Sequence, residues 1–244
     1  MSTVTQPVTP VKMEAERIPP LQNGDRLTAE EFERRYDAMP DLKKAELING
    51  VVYMAPPVTI DDHGGPHFDM ISWLGLYRMA TPGVRGGDNA TLRLPLNNRP
   101  QPDICLIVEP SHGGQVQIVN RYIVGGPELV AEVAATSANY DLTEKLPLYL
   151  QNNVREYVVW RVFDQEIDWF VLRNGQYERL ALSPDGYFKS EVLPGLWLDP
   201  AALIRGDMAR LAQVSQQGVA SPEHAAFVSR LQQAAFQQPG GPTP

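Results

Sequence analysis

The chain has 244 residues, 43% of them hydrophobic, and a formal net charge of −8. That length suits one sizeable domain with tails. No run approaches the roughly 18 apolar residues of a membrane helix, no secretory signal is visible at the N-terminus, and a single cysteine, Cys105, excludes a disulfide framework or a multi-Cys zinc site; a cytoplasmic protein is the default expectation.

Residues 1–22 are rich in Pro, Thr and Val without a period and read as a flexible arm. Thr28-Ala29-Glu30-Glu31 has the T-x-x-E form of a capping box and predicts a helix through Ala38. Asn49-Gly50 lies between the apolar runs 45–48 and 51–54, a strong hairpin signal that Pro56-Pro57 ends. Met70, Trp73, Leu74 and Tyr77 recur at helical spacing, predicting a helix from about Pro66 to Ala80. Short strands are expected near 90–95, 103–108 and 128–134, with a small hairpin between Ile118 and Val124.

From Asp141 to Asn153 the pattern is helical, with Leu142, Leu146, Tyr149 and Leu150 on one face. Pro147 fits if Thr143 is the N-cap, which places the proline in the first turn. Lys145 then lies at the border of the packed face. Three β-rich runs follow at 156–162, 166–172 and 177–182, with Asn174-Gly175 as a turn. Asp199 and Pro200 open what reads as a final helix, and a weak amphipathic segment covers Glu223 to Ala235. The expected division is an arm (1–22), a domain (23–213), and a C-terminal helical segment with a disordered tail (214–244). Helices interleaved with strands predict an α/β (α+β) fold, a mixed sheet with helices packed on it.

Two acids stand out. Asp103 leads into the apolar run 104–108, and Glu132 is embedded in the run 129–134. Carboxylates among apolar residues are costly unless something positive pairs with them, and a hard divalent cation takes oxygen ligands. On adjacent strands the two acids could share one metal ion, which polarises a phosphoryl oxygen and lowers the pKa of its water. Lys145 would stabilise developing negative charge or orient the water, and Glu46 could add a third carboxylate. The bland alternative is that Asp103 and Glu132 end their strands in solvent and that Glu46 pairs with Lys43 or Lys44. His63 and His67 have the spacing of paired zinc ligands, but Gly64-Gly65-Pro66 between them argues against a continuous helix, and no glutamate completes H-E-x-x-H. A histidine at a helix start beside the cleft suits His67 better. His112 and His224 read as surface or loop residues, and Trp160, Trp169, Trp197 and Cys105 as core. No P-loop or G-x-S-x-G element is present.

The ordered series LTAEEF, ELINGVVYMAPP, HGGPHFDMI, PQPDICLIV, ELVAEVAATSANYDLTEKLPLY, VREYVVWRV and LPGLWLD resembles the Uma-type restriction endonuclease family of the PD-(D/E)XK nuclease superfamily, over about residues 26–205. The resemblance implies a restriction-endonuclease-like core, a mixed β-sheet flanked by helices, with Mg²⁺ or Mn²⁺ at the strand ends. It makes Asp103 the motif aspartate, Glu132 the motif glutamate and Glu46 the acid of the first core element. Ala134 replaces the usual lysine, and Lys145 from the following helix supplies the ammonium instead. The Val133 carbonyl becomes an additional metal ligand, and Tyr149, His67 and Asn89 become pocket residues. Ala135 stands where the family often has serine, so Thr136 or Ser137 would replace that hydrogen bond.

Two functions follow as expectations. One is a divalent-metal-dependent DNA endonuclease, expected to pair as a homodimer through the segment after Ser221 so that both strands are cut. The other is a nuclease-like module that cuts weakly or not at all and binds nucleic acid or protein. The charge of −8 supports the second; a basic rim of Arg78, Arg85, Arg93 and Arg121 around the cleft would support the first.

Overall fold

The computed structural model describes residues 18–237; the first 17 positions of the expected arm and most of the expected tail lie outside them. Helix α1 (Ala29–Asp37) begins where the capping box places it, with Thr28 Oγ1 accepting from Glu31 N at 3.3 Å. The hairpin β1 (Ala45–Ile48) and β2 (Val51–Met54) turns on Asn49 and Gly50, whose φ values of 51° and 75° are the left-handed pair that this tight turn requires.

Helix α2 (Gly65–Ala80) buries the four residues that its periodicity singled out, Met70, Trp73, Leu74 and Tyr77. It is preceded by a π-helical turn, Ile60–Gly64, capped by Thr59. Gly65 permits that turn, since a Cβ there would sit 2.9 Å from the Ile60 carbonyl oxygen.

The central sheet has six strands: β3 (Val84–Asp88), β5 (Ile104–Val108), β8 (Leu129–Ala134), β9 (Glu156–Arg161), β10 (Glu166–Arg173) and β11 (Gln176–Arg179). Their order is β11-β10-β9-β8-β5-β3, with only the β8–β9 pair parallel. A smaller sheet is formed by β4 (Leu92–Arg93), β6 (Gln117–Val119) and β7 (Tyr122–Val124). Strand β3 was not anticipated, because Val-Arg-Gly-Gly-Asp carries no alternating apolar signal. As an edge strand it gains its place chiefly through backbone pairing with β5, with Val84 its one residue in the core.

One face of the sheet presents Ile104, Leu106, Leu129, Ala131, Val133, Val158 and Trp160 to α2 and the C-terminal helices. The other presents Cys105, Val130, Ala134, Tyr157 and Val159 to the segment that follows β8. That segment is α3 (Ala138–Tyr140), a π turn Asp141–Lys145, and α4 (Leu146–Gln151). The expected N-cap at Thr143 is incorrect: the helix starts earlier, and Thr143 Oγ1 donates back to the Asn139 carbonyl at 2.7 Å. Pro147 is accommodated because the π turn lies just before it. Leu148, not Leu150, is the leucine buried beside Tyr149, and Lys145 is buried rather than at a border.

Asp199 caps α5 (Pro200–Ile204), but this helix is not the last. Two more follow, α6 (Met208–Val219) and α7 (Pro222–Gln237). Phe227 and Leu231 of α7 join the main core, so the segment expected to be a dimer arm packs on its own chain. His224 is also buried, against the expectation of a surface residue; its Nε2 lies 2.9 Å from Thr81 Oγ1. Trp160, Trp169 and Cys105 are core residues, while Trp197 is half-buried under Lys189. Among the described residues no helix is long and apolar enough to cross a membrane.

Candidate active site

Pairing of Ile104 with Ala131 sets the register of β5 on β8 and brings Asp103 opposite Glu132. The two acids are cross-tied through the backbone: Asp103 N donates to Glu132 Oε2 at 3.2 Å, and Val133 N donates to Asp103 Oδ2 at 2.9 Å. Glu46 arrives on β1, which is zipped to the approach to β5 by reciprocal hydrogen bonds between Leu47 and Arg99. Gln101 N then donates to Glu46 Oε1 at 2.7 Å. All three carboxylates are buried, as expected of acids inside apolar strands and against the solvent-exposed alternative.

The cations come from two directions. Lys145 Nζ, on the helix that follows β8, lies 2.9 Å from Glu132 Oε1, 3.1 Å from Glu46 Oε2 and 3.5 Å from Asp141 Oδ1. Lys44 Nζ lies 2.8 Å from Asp103 Oδ1. Glu46 therefore pairs with Lys145, not with Lys43 or Lys44. Tyr149 OH donates to Glu132 Oε1 at 3.1 Å, and Ser137 Oγ donates to Asp141 Oδ2 at 2.7 Å.

The histidines sit above the acids. His63 Nδ1 is 3.0 Å from the Val133 carbonyl, and its Nε2 is 3.7 Å from Asp103 Oδ1. A carbonyl can only accept, so Nδ1 carries the hydrogen. His67 Nε2 is 3.3 Å from the Asp103 carbonyl and 3.4 Å from Asp88 Oδ1. Asn89 joins the cluster through its backbone N–H to Asp103 O at 3.1 Å, while its side chain donates to Asp88. Sequence reasoning overlooked the pairing of Lys44 with Asp103, the part of Asp141 and this placement of His63. Their signals were present: Lys44 is two residues from Glu46, on the same side of an extended chain, and Asp141 is four residues before Lys145 on a helix.

Burial pushes the Glu132 carboxyl upward, with Asp103 and Asp141 adding to the rise and Lys145 opposing it. Burial also acts on Asp103, but Lys44 and His63 outweigh it and hold that carboxyl below its ordinary range. Burial disfavours the Lys145 ammonium, yet Glu132, Glu46 and Asp141 together hold it well above its ordinary value.

Four carboxylates, Glu46, Asp103, Glu132 and Asp141, thus meet two ammonium groups, Lys44 and Lys145. The acids outnumber the ammonium groups by two, burial pushes the Glu132 and Asp141 carboxyls upward, and the available donors are carboxyl and carbonyl oxygens, a set that fits a hard divalent cation. Among the described residues no three His, Cys, Asp or Glu side chains form a ready cage; the carboxylates are turned onto the lysines instead. Beside the site a groove of ≈ 430 Å³ between α2 and β3 is lined by Arg78, Gly86, Gly87 and Asp88. Of the expected rim, Arg93 is paired with Glu33.

The family model described as "Putative restriction endonuclease", Uma2, matches residues 29–201. A crystal structure from Anabaena variabilis, described as "a putative nuclease belonging to DUF820", shares the fold with a TM-score of 0.52 and 14% identity. The match covers 78% of this chain and 99% of the other. No curated protein matches the chain.

Proposed function

The chain belongs to the Uma2 family, and from that premise we propose that it is a divalent-metal-dependent endonuclease that hydrolyses the phosphodiester backbone of DNA. The observation that carries this reading is the convergence of four buried carboxyl groups, Glu46, Asp103, Glu132 and Asp141, on only two ammonium groups. Asp103, Glu132 and the Val133 carbonyl would hold Mg²⁺ or Mn²⁺, with Glu46 assisting. When bound, such a cation polarises a phosphoryl oxygen and acidifies water.

The chain's own groups set up that chemistry. Lys145 holds Glu46 and Glu132 in place through its ion pairs, opposes the upward push that burial gives Glu132, and adds a fixed positive field near the phosphate. Tyr149 OH fixes the Glu132 carboxylate in orientation. His63 holds the Val133 carbonyl, and His67 the Asp103 carbonyl, as supports at the helix start. In the reaction the water oxygen bonds to phosphorus, the P–O ester bond breaks, and a proton passes to the leaving oxygen. A pair of chains would supply the two cuts of a duplex.

A weakly cutting or non-cutting binding module is the second reading, favoured by the net charge of −8 and by the lysine on Asp103. Incubation of supercoiled plasmid and single-stranded DNA with Mn²⁺, Mg²⁺ or chelator separates the two. Metal-dependent nicking supports the nuclease; intact DNA with folded, metal-loaded protein supports the module.

A further inference from the structure

The two lysines of the site differ in what remains free to them. Lys145 has three ammonium hydrogens and three carboxylate neighbours, and its side chain is 4% exposed. It is enclosed and saturated. The Lys44 side chain is 21% exposed and has one carboxylate contact, Asp103 Oδ1. Lys44 also immediately precedes β1, so its stem stands at the mouth of the site rather than within a strand ladder.

The oxygens of Asp103 differ in the same sense. Oδ2 accepts a backbone amide from Val133, which cannot leave without opening β8. Oδ1 faces only side chains, Lys44 at 2.8 Å and His63 at 3.7 Å. A cation held at Oδ1 by a flexible four-carbon stem is exchangeable.

We propose that Lys44 is the substrate-facing cation of this site: it neutralises Asp103 at rest, gives up Oδ1 when a divalent cation binds, and then contacts the DNA phosphate. The proposal rests on the nuclease reading for its substrate. It assigns the phosphate contact to Lys44 and leaves Lys145 as a positioning residue. Like charges cannot share Oδ1, so binding of a divalent cation and release of Lys44 are linked.

The test compares wild type, Lys44→Met and Lys44→Arg in two binding measurements that do not depend on cleavage. Mn²⁺ is titrated by calorimetry without DNA, and a labelled DNA duplex is titrated by fluorescence anisotropy with Ca²⁺. Removing a competing ammonium should tighten Mn²⁺ binding by about ten-fold in Lys44→Met. The same variant should lose about ten-fold in DNA affinity, in the range of one charge-assisted contact. Lys44→Arg keeps the charge and is expected to stay near wild type in DNA binding, which also controls for a misfolded Met variant. Unchanged or weaker Mn²⁺ binding in Lys44→Met, or unchanged DNA affinity, overturns the proposal, as does a wild type that binds no DNA. Wild type that binds metal and DNA but leaves the backbone intact sinks the nuclease reading while Lys44 is still judged by these affinities.

Discussion

The two ends of β8 bury acids by different means. At one end, Glu132 is surrounded by side-chain cations and other carboxylates. At the other, Glu128 accepts backbone amides from Val108 at 2.8 Å and Gln115 at 3.2 Å. On the neighbouring strand Glu156 is held similarly, by Ser190 Oγ at 2.7 Å, Glu191 N at 2.8 Å and Val192 N at 3.2 Å. Backbone amides are fixed by the fold, so Glu128 and Glu156 serve as knots that tie loops to the sheet. An ammonium on a long, partly exposed stem, as Lys44 is against Asp103 beside Glu132, can move where a backbone amide cannot. Burial alone therefore does not mark an active site; the kind of partner does.

The comparison is broken most severely by Glu132→Gln. Metal-dependent nicking should fall by about 10³-fold or more, while Glu156→Gln should leave the nicking rate near wild type, as read from plasmid time courses. Equal losses in both variants would erase the distinction between the two ends. Lys145→Met leaves three buried carboxylates without their cation and should cost about 3–5 kcal/mol in urea unfolding; a loss below about 1 kcal/mol would show that the cluster is not held electrostatically. Glu156→Ala should cost about 2–3 kcal/mol, because two backbone amides and a serine hydroxyl lose their acceptor, with no change in nicking.

The same contrast can be read through pH. Burial pushes Glu156 from an ordinary 4.5 up to about 7. The folded chain then holds a proton that the unfolded chain has released. Its contribution to stability is full below about 4.5 and is lost as pH rises to about 7. Glu156→Gln should flatten that part of the stability–pH curve, measured by thermal melts at several buffer values. An unaltered slope would mean that another group carries it.

Much of this fold was legible in sequence because local signals were strong. The capping box at Thr28, the Asn49-Gly50 turn and the Met70–Tyr77 stripe each encode their structure within a few residues. Asp103 and Glu132 were legible because acids in apolar runs demand an explanation. What escaped depended on distant partners. The edge strand β3 is paid for by pairing with β5, and the burial of His224 by its contact with Thr81. The π turn before Pro147 has no sequence rule comparable to a cap, so the start of that helix was misplaced. Lys44 was weighed only against Glu46, its neighbour in sequence, whereas the sheet delivers it to Asp103.

Asp103 and its neighbours are proposed to form a metal-dependent cutting site. The most direct test of that assignment is nicking of supercoiled plasmid in Mn²⁺ by wild type and Asp103→Ala, with thermal melts confirming that both are folded. Wild type should nick the plasmid, and folded Asp103→Ala should show no nicking above background. Undiminished nicking by that variant would contradict the assignment.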